Sequence, residues 1–535
     1  MPTKKYKQFN LLFVLFFAWV PTHSQNDPLA RNVFLNQETQ QVIDEWDIKY
    51  PSYEFHSGFK PYLISTLKDF HDSCISYKHY IIKNFFLSKT FNEGPQKRNQ
   101  FNVQFLPVLD FQTGYDALEK KNVNEIIGGA HVKFNINDAF TLAGTFIAGQ
   151  VAYPFLTDTF VKENMLIPGL GIAYKSGNSS YSFSNFTGYA SYSPNKIFNF
   201  QLGKDKHFIG EGYRSLLLSD VANNYPYFRI SANIWHIQYS VFYTWMNDIT
   251  YANGIKGNFK DKYSTMHYLS WNAFKNLNIS FFENIIWQGK DSSRSRGFDP
   301  NYLNPIILYR PQEYSVGSSD NAFIGINISG KLFKRLKIYG QLALDEFYFE
   351  EIRLGRGWWA NKQGWQLGMK YVNALNVKGL TLQLEYNEVR PYTYTHGLVA
   401  QNYAHYGQPL AHPFGANFME FLANVSYRKN RFMISAQGIY AVIGKDSTGS
   451  NVGQNIFLSY TSRPYEYGHY TTQGVKNTFI QSDIKFTYLV MPQLNLRIEL
   501  GYIQRSLSDS RGLDIQNPYI YFGIKTALWN FYRDY

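Results

Sequence analysis

The chain has 535 residues, a formal net charge of +12 and an aromatic content of 18%, with 43 Tyr and 44 Phe. Mean hydropathy is −0.33, and no apolar run after residue 20 approaches the length of a membrane-spanning helix, which excludes a helical membrane protein. The single cysteine, Cys74, excludes an internal disulfide framework, and we interpret it as a lone buried thiol.

The amino terminus has the composition of an export signal. Lysines at positions 4, 5 and 7 precede an apolar run at residues 11–20, which is too short to span a bilayer as a helix. Thr22 and Ser24 provide a plausible cleavage point before Gln25. We therefore predict that residues 1–24 are a signal peptide and that the mature chain is exported. No cysteine follows the cleavage point directly, so a lipid anchor is not expected.

Residues 25–97 lack the alternating pattern of the remainder. Leu63, Leu67 and Phe70 recur at helical spacing. This spacing predicts a mostly helical segment that lies in the periplasm or faces a barrel lumen. We place the boundary with the next unit, residues 98–535, where the alternation begins.

In that second unit, apolar and polar residues alternate in many short stretches. In the stretch LNLRIELGY, Leu496 and Ile498 fall on one face, whereas Arg497 and Glu499 fall on the other. The same alternation recurs in residues 336–345, 380–387 and 520–528. Together with the aromatic content, it predicts an all-β fold, a transmembrane antiparallel outer-membrane β-barrel of about 16–18 strands.

Loop lengths separate this barrel from a soluble β-sandwich, which would also alternate. Outer-membrane barrels have short turns at the periplasmic end and long loops at the outer end. Short turns are predicted at residues 137–139, 274–277, 333–335, 428–431 and 491–493. Long irregular segments are predicted at residues 204–225, 289–321, 391–417, 444–474 and 506–518. Between residues 154 and 193 the number of strands assigned from the pattern is inconsistent with turns that alternate between the two ends of a barrel.

The sequence contains no strong motif for catalysis, a metal or a cofactor. His207 and Glu211 have the spacing H-x-x-x-E rather than H-E-x-x-H, and neither a G-x-S-x-G elbow nor a P-loop is present. The stretch GSSDN at residues 317–321 and the distant His405 could be assembled into a triad, but a triad is recognised by geometry. We expect a non-enzymatic protein with no cofactor and no metal.

Much of the positive charge lies in the predicted loops. The residues are Lys204, Lys206, Arg214, Lys290, Arg294, Arg296, Arg353, Arg356 and Arg390. At an outer surface this charge suits anionic glycans or lipopolysaccharide phosphates. No nucleic acid partner is expected for an exported barrel.

Several segments carry a resemblance to a known family. They are GKDKHFIGEGYRSLLLSD (203–220), NPIILYRPQEYSVGSSDN (304–321), QLALDEF (341–347), EYNEVRPYTY (385–394) and QNYAHYGQPLAHPFGANF (401–418). Together they resemble the outer-membrane family of the capsule-assembly protein Wzi, closest to its gliding-motility member RemB, over essentially the whole mature chain. The resemblance implies a monomeric barrel of about eighteen strands with an amino-terminal helical element. It also implies no enzymatic activity and a surface role in capsule attachment or gliding motility.

The loop at residues 401–418 and its basic neighbours form a predicted glycan-binding site. Tyrosine rings would lie against sugar rings, histidines would bond hydroxyl groups, and arginines would pair with uronate or phosphate. The predicted residues are Lys204, His207, Tyr213, Arg214, Arg310, Arg390, Tyr403, His405, Tyr406 and His412.

Three alternatives remain open at this point. The same residues could form a plug, with the arginines pairing with lumen carboxylates such as Glu385. The barrel could be a passive porin with an open lumen, or it could dock a surface adhesin or motility protein. In each case the predicted location is the outer membrane, where lipid and lipopolysaccharide surround a monomer.

Overall fold

Eighteen antiparallel strands close into a barrel in the computed structural model. The structure describes residues 30–67, 87–92, 100–137, 139–177, 179–250, 252, 255–290, 296–307 and 320–534. The predicted signal peptide, Phe70, Cys74 and Arg310 lie outside these residues.

The barrel strands run in chain order around the wall. They are β1 (Gln100–Asp116), β2 (Lys121–Ile136), β3 (Phe140–Val151), β4 (Ser180–Tyr192), β5 (Phe198–Asp205), β6 (Tyr225–Ile234), β7 (Ile237–Asp248), β8 (Lys260–Phe274), β9 (Leu277–Gln288), β10 (Asn321–Leu332), β11 (Leu336–Leu344), β12 (Gln363–Val372), β13 (Leu380–Val389), β14 (Phe418–Lys429), β15 (Phe432–Lys445), β16 (Val475–Met491), β17 (Leu496–Asp509) and β18 (Asp514–Lys525). β18 pairs with β1 and closes the barrel.

The alternation in the sequence separates the lipid-facing side from the lumen. In β17, Leu500 and Tyr502 are 49% and 44% exposed on the outer surface of the barrel. Arg497 and Glu499 are buried and face the lumen. The prediction of an outer-membrane β-barrel is confirmed, because apolar side chains meet lipid and polar side chains line the interior.

Loop lengths differ at the two ends of the barrel, as predicted. Five of the connections at one end are turns of two or three residues, at 137–139, 235–236, 275–276, 333–335 and 430–431. The opposite end carries loops 206–224, 289–320, 345–362, 390–417 and 446–474. By the general rule for such barrels, the first end is periplasmic and the second is the outer end.

Two loop assignments change with the structure. Residues 506–518 were predicted as a long loop, but β17 and β18 continue through them to a tight turn, where Asp509 Oδ1 accepts hydrogen bonds from the backbone N–H groups of Arg511 and Leu513, each at 2.9 Å. The turn-forming residues of this stretch therefore belong to a β-hairpin and not to a long loop. Between residues 154 and 193, helix α2 (Phe155–Asn164) precedes β4. An assignment made of strands alone therefore gave an inconsistent number of strands in this region.

The remaining regular elements are short. The other helices are α1 (Gln37–Lys49) and α3 (Phe349–Leu354), with 3-10 turns at Ile64–Leu67, Lys256–Asn258, Pro300–Leu303, Ala374–Asn376, Val399–Gln401, Tyr460–Ser462 and Pro492–Leu494. Short paired strands are Phe59–Lys60 with Phe208–Ile209, Leu166–Ile167 with Gly171–Ile172, Ala404–His405 with Gln408–Pro409, Leu87–Asn92 with β1, and Tyr174–Ser176 with β4. No helix in the described part of the chain is long and apolar enough to cross a bilayer.

In the part of residues 25–97 that the structure describes, the segment predicted as mostly helical contains one 13-residue α-helix, α1. Farther along, Ile64–Leu67 is a 3-10 turn and Leu87–Asn92 is a strand paired with β1. The helical spacing of Leu63 and Leu67 thus corresponds to a compact turn whose apolar side chains are buried. Burial of a few apolar side chains produces the same spacing as a helix over so short a stretch.

Asn36 caps α1 and is expected to set its local stability. Its Oδ1 accepts hydrogen bonds from the N–H groups of Glu38 and Thr39, at 3.0 and 3.3 Å, and its Nδ2 donates to Ala527 O at 2.8 Å. Asn36→Ala should destabilise the helix by about 1 kcal/mol. Hydrogen exchange of the α1 amides, followed by mass spectrometry, should become about fivefold faster.

Gln40→Ala is the control for this prediction, because Gln40 lies on the same helix outside the cap and alanine is a good helix former. Its α1 amides should exchange at the parental rate. Equal exchange in the parent and in Asn36→Ala would show that packing alone holds the helix.

Candidate functional site

The helix α1 lies at the periplasmic end of the lumen, where ion pairs join one side of it to the wall. Lys331, Lys337 and Lys370 lie at the periplasmic ends of β10, β11 and β12. Asp47 pairs with Lys331 and with Lys337, the latter at 3.2 Å, and Asp44 pairs with Lys370 at 2.5 Å. Burial opposes ionisation, but the ammonium groups of Lys370 and Lys337 hold the pKa of Asp44 well below its usual range.

The loop between β5 and β6 descends from the outer end into the lumen. Its residues Phe208–Ile209 pair with Phe59–Lys60 of the amino-terminal segment. Farther along, the Glu211 carboxylate lies 2.8 Å from Lys337 Nζ. The same lysine therefore contacts both the amino-terminal plug and a loop that enters from the opposite end.

Arg214 joins this loop to two wall strands and to the carboxy-terminal segment. Its Nη2 lies 3.1 Å from Glu420 Oε1 and 2.9 Å from Asp534 Oδ2. The backbone N–H groups of Tyr213 and Arg214 donate to the Glu385 carboxylate at 2.8 and 3.1 Å. We call these five residues the Arg214 centre. It fixes the carboxy-terminal segment inside the barrel.

The loop between β13 and β14, which contains the QNYAHYGQPLAHPFGANF stretch, lies above this centre. Tyr403 Oη donates to Leu217 O at 2.6 Å, and His412 Nε2 lies 2.8 Å from Glu420 Oε2. Burial lowers the pKa of His405 to about 3, which keeps its imidazole neutral at physiological pH. Loops from the outer end and α1 from the periplasmic end therefore fill the lumen between them.

The structure divides the predicted glycan-binding residues by exposure. The side chains buried within the lumen plug are His207, Arg214, Tyr403, His405 and His412. The partly exposed ones are Lys204, Tyr213, Arg390 and Tyr406. The tenth, Arg310, lies outside the described residues. The buried members contact other plug residues, so a ligand at the outer surface would meet different side chains.

A cluster of aromatic rings and an arginine lies higher, among the loops after β11, β13 and β15. We call it the rim cluster, and its residues are Trp358, Trp359, Tyr392, Tyr460, Arg463, Tyr465, Tyr467, His469 and Tyr470. The Arg463 guanidinium lies 4.0 Å above the Trp359 ring, within cation–π distance. Trp359 and Tyr460 rings are 4.7 Å apart, and Tyr465 stacks on His469 at 4.5 Å. The three loops thus share one aromatic platform.

Arg390, one of the predicted residues, supports the rim cluster from beneath. Its Nε donates to Asn361 O at 2.9 Å, and its Nη2 donates to Trp358 O and His469 O at 3.5 and 3.4 Å. Burial lowers the pKa of Arg390 from its ordinary value. Because it bonds carbonyl groups of two neighbouring loops, Arg390 holds the platform in shape.

The outward side of the rim cluster is accessible to large ligands. Tyr465, Tyr467 and Tyr470 are 47%, 44% and 63% exposed. The Arg356 guanidinium lies 4.7 Å from the Tyr467 ring and pairs with Glu351, whereas Arg353 is exposed and makes no ion pair with the described residues. Flat rings beside arginines can contact sugar rings and bind carboxylate groups.

The sequence prediction missed the rim cluster. Its signal was visible in the stretches GRGWWAN and SRPYEYGHY, which place arginine next to aromatic residues in two predicted loops. Nothing in the sequence indicated that these loops meet. In the described part of the chain, no group of three or more His, Cys, Asp or Glu side chains could hold a metal ion.

The closed barrel, the short periplasmic turns and the lumen filled by loops define an outer-membrane β-barrel protein. The family model described as capsule assembly protein Wzi matches residues 173–509. The chain therefore belongs to the Wzi family, and its location is the outer membrane. No curated protein matches the sequence.

This chain is similar to several solved structures at low sequence identity, and the first of them, with a TM-score above 0.5, has the same fold. Wzi of Escherichia coli, described as an outer-membrane protein involved in group 1 capsule assembly and a carbohydrate-binding β-barrel, is 12% identical, with a TM-score of 0.56 over 93% of this chain and 99% of that chain. OprD of Pseudomonas aeruginosa is 11% identical, with a TM-score of 0.44 over 79% and 93%. OccAB4 of Acinetobacter baumannii is 10% identical, with a TM-score of 0.40 over 81% and 99%. The closer relation to RemB stays a prediction.

Proposed function

We propose that this protein binds surface polysaccharide at the outer face of the outer membrane and thereby organises the capsule, without catalysis. The rim cluster is the observation that carries the proposal. It presents three exposed tyrosines, Tyr465, Tyr467 and Tyr470, beside arginines at the end of the barrel that faces the exterior. Membership of the Wzi family supports the same role.

The rim cluster also suggests which polysaccharides bind. Arg356 and Arg463 each pair with a glutamate, so they leave little free positive charge. Arg353 is the exposed arginine that could pair with a uronate carboxylate. We propose that ring stacking supplies most of the affinity and that Arg353 adds a preference for anionic chains.

The sequence-predicted residues have a supporting role in this proposal. Arg390 would hold the platform, whereas Lys204 in β5 and Tyr406, whose backbone N–H donates to Asn247 O in β7, lie on another part of the barrel. The buried members, including His207, Arg214 and His412, would fix the loops beneath it. Because the loops and α1 fill the lumen, we propose that a monomer acts as a surface receptor rather than as a passive porin.

The replacement of Tyr465, Tyr467 and Tyr470 by alanine tests this proposal. Each ring removed should cost about 1 kcal/mol of binding, so the affinity for purified surface polysaccharide should fall at least about tenfold. Binding to whole cells and the split of polysaccharide between cell-bound and shed fractions would be measured. The triple variant should shed polysaccharide as a deletion strain does.

Tyr174→Ala is the matched control, since Tyr174 is an exposed tyrosine that is not part of the rim cluster. It should bind polysaccharide like the parent. If the triple variant retains parental binding while remaining folded in the outer membrane, the rim cluster is not the receptor surface.

A second candidate function is docking of a motility or adhesin protein, which is the role implied by the resemblance to RemB. One observation favours it. The loop after β11 exposes Phe347, Tyr348, Phe349 and Leu354, with Phe349 at 70%, and exposed apolar patches commonly mark protein contacts. Normal polysaccharide retention together with failed spreading on agar in the deletion strain would support docking in place of polysaccharide binding.

A further inference from the structure

A polar space lies inside the barrel, separate from the rim cluster. It consists of two cavities of about 250 and 160 Å³. They adjoin, because both are lined by Tyr213, Gln437, Asp483, Lys485 and Phe531. We call the combined space the inner cavity. The larger cavity alone approaches the size of small-molecule sites, which begin at about 300 Å³.

The larger part of the inner cavity lies in the periplasmic half of the molecule. Gln37 and Gln41 of α1 form one side. On the wall, Gln383, Asn424 and Ser435 lie within a few residues of the short periplasmic turns. All five side chains are partly exposed although they face the interior, so solvent occupies the space. A ligand would reach it from the periplasm, whereas the rim cluster faces the exterior.

The larger cavity is rich in amide side chains, which favours a neutral ligand with many hydroxyl groups. The smaller one is lined by charged side chains of both signs, among them Glu499, Arg505 and Lys525, which give it no clear excess of positive charge. Amide side chains supply donors and acceptors together, which is what a sugar hydroxyl needs. The amides are Gln37, Gln40, Gln41, Gln383, Asn424 and Gln437. The rings of Tyr213 and Phe531 supply apolar faces. A small anion would need a clear excess of positive charge, and an apolar ligand would leave these polar groups unpaired.

Two oppositely charged groups, Asp483 and Lys485, line both parts of the inner cavity. Asp483 Oδ1 has no hydrogen-bond partner among the described residues. Lys485, two residues along the same strand and facing the same side, forms no ion pair within the described part of the chain. A carboxylate accepts hydrogen bonds and an ammonium donates them, so the pair can bind neighbouring hydroxyl groups of one sugar ring.

We propose that the inner cavity binds one or two units of a carbohydrate chain presented from the periplasm. The proposal rests on the proposed function only for the chemical class of the ligand; the place, the lining residues and the direction of entry are independent of the rim cluster. The protein would thus hold carbohydrate at two sites, on opposite sides of the lumen plug.

The test uses the full chain in detergent, with D-glucose, D-galactose, N-acetyl-D-glucosamine and D-glucuronate as probes. Saturation-transfer NMR and calorimetry should show at least one probe binding with a Kd of about 1 mM. Ser435→Phe fills the cavity and should weaken that binding more than tenfold. Ser482→Phe places the same ring on the exposed outer side of β16 and should leave binding unchanged.

Retention of the barrel fold would be checked by the heat-dependent shift in gel mobility. Gln437→Leu is the second variant, since it removes an amide without filling the cavity, and it should also weaken binding. The proposal is overturned if no probe binds the parent, if Ser435→Phe and Gln437→Leu bind as well as the parent, or if only inorganic phosphate binds.

Failure of this proposal is distinguishable from failure of the rim proposal. The rim tyrosine variant should still bind the monosaccharide probe in the inner cavity. Ser435→Phe cells should still retain polysaccharide added from outside. Loss of probe binding in the rim variant would contradict the independence of the two sites.

Discussion

Lys337→Met is expected to release α1 from the barrel wall. Lys337 Nζ lies 2.8 Å from Glu211, 3.2 Å from Asp47 and 3.4 Å from Asp44, and all these side chains are buried. Methionine fills similar space but leaves three carboxylates with one cation fewer. Removal of one partner from a buried ion pair costs about 3–5 kcal/mol. Protease cleavage within α1 should accelerate more than tenfold, and the barrel should begin to conduct ions in a planar bilayer.

The effect of Lys337→Met should depend on pH. The folded-state pKa of Asp44 is depressed, so its stabilising contribution is present above its unfolded value, near 4, and is lost only as the pH falls through the folded value. In the parent, α1 should therefore stay docked from about pH 4 to pH 8. In Lys337→Met the carboxylates repel one another, so the cleavage rate should be highest at pH 8 and fall as they take up protons.

Lys476→Met provides the control, because Lys476 is an exposed lysine on β16. In this variant, protease should cleave α1 at the parental rate, and the barrel should not conduct ions. Unchanged cleavage in Lys337→Met at every pH would mean that apolar packing of α1, and not this ion cluster, closes the periplasmic end.

Arg214→Met is expected to release the carboxy-terminal segment from the lumen, as Lys337→Met releases α1. It would leave Glu420 and Asp534 buried without their cation, again at a cost of about 3–5 kcal/mol. The carboxy-terminal segment should detach, and carboxypeptidase should trim it at least tenfold faster. Trp529, which lies in the same segment, should show a red-shifted fluorescence as it enters water.

Charge removal should rescue this variant. When Glu420→Gln and Asp534→Asn are added to Arg214→Met, neither former partner of Arg214 keeps a negative charge, and the carboxy terminus should regain much of its resistance. Arg511→Met, at an exposed turn, is the control substitution. A segment that remains protected in Arg214→Met would show that its aromatic residues suffice to hold it.

The sequence predicted most of the barrel wall because alternation is a local property. Leu500 and Tyr502 could be assigned to one face from their spacing alone, and short turns such as 333–335 could be located between strands. The sequence was less informative where turn-forming residues are dense. The hairpin after Asp509 therefore looked like a long loop, and α2 was missed because a helix lay among short strands.

The candidate site was predicted only in part. The histidines and arginines of the outer loops were recognised as unusual, but their exposure depends on how far each loop enters the lumen. His412 and Arg214 both meet Glu420 inside the barrel, which no local pattern indicates. The rim cluster was missed for the same reason, since Trp359 and Arg463 come from different loops.

By itself, the sequence determined the class of protein: an alternating, aromatic-rich chain buries its polar face in a lumen and presents its apolar face to lipid, whatever the details of the loops. Only the tertiary structure decided which polar residues seal the lumen and which face the exterior. Barrel closure brings together groups as distant as Arg214 and Asp534, 320 residues apart. The pairing of such charges depends on three-dimensional distance, which residue spacing along the chain does not encode.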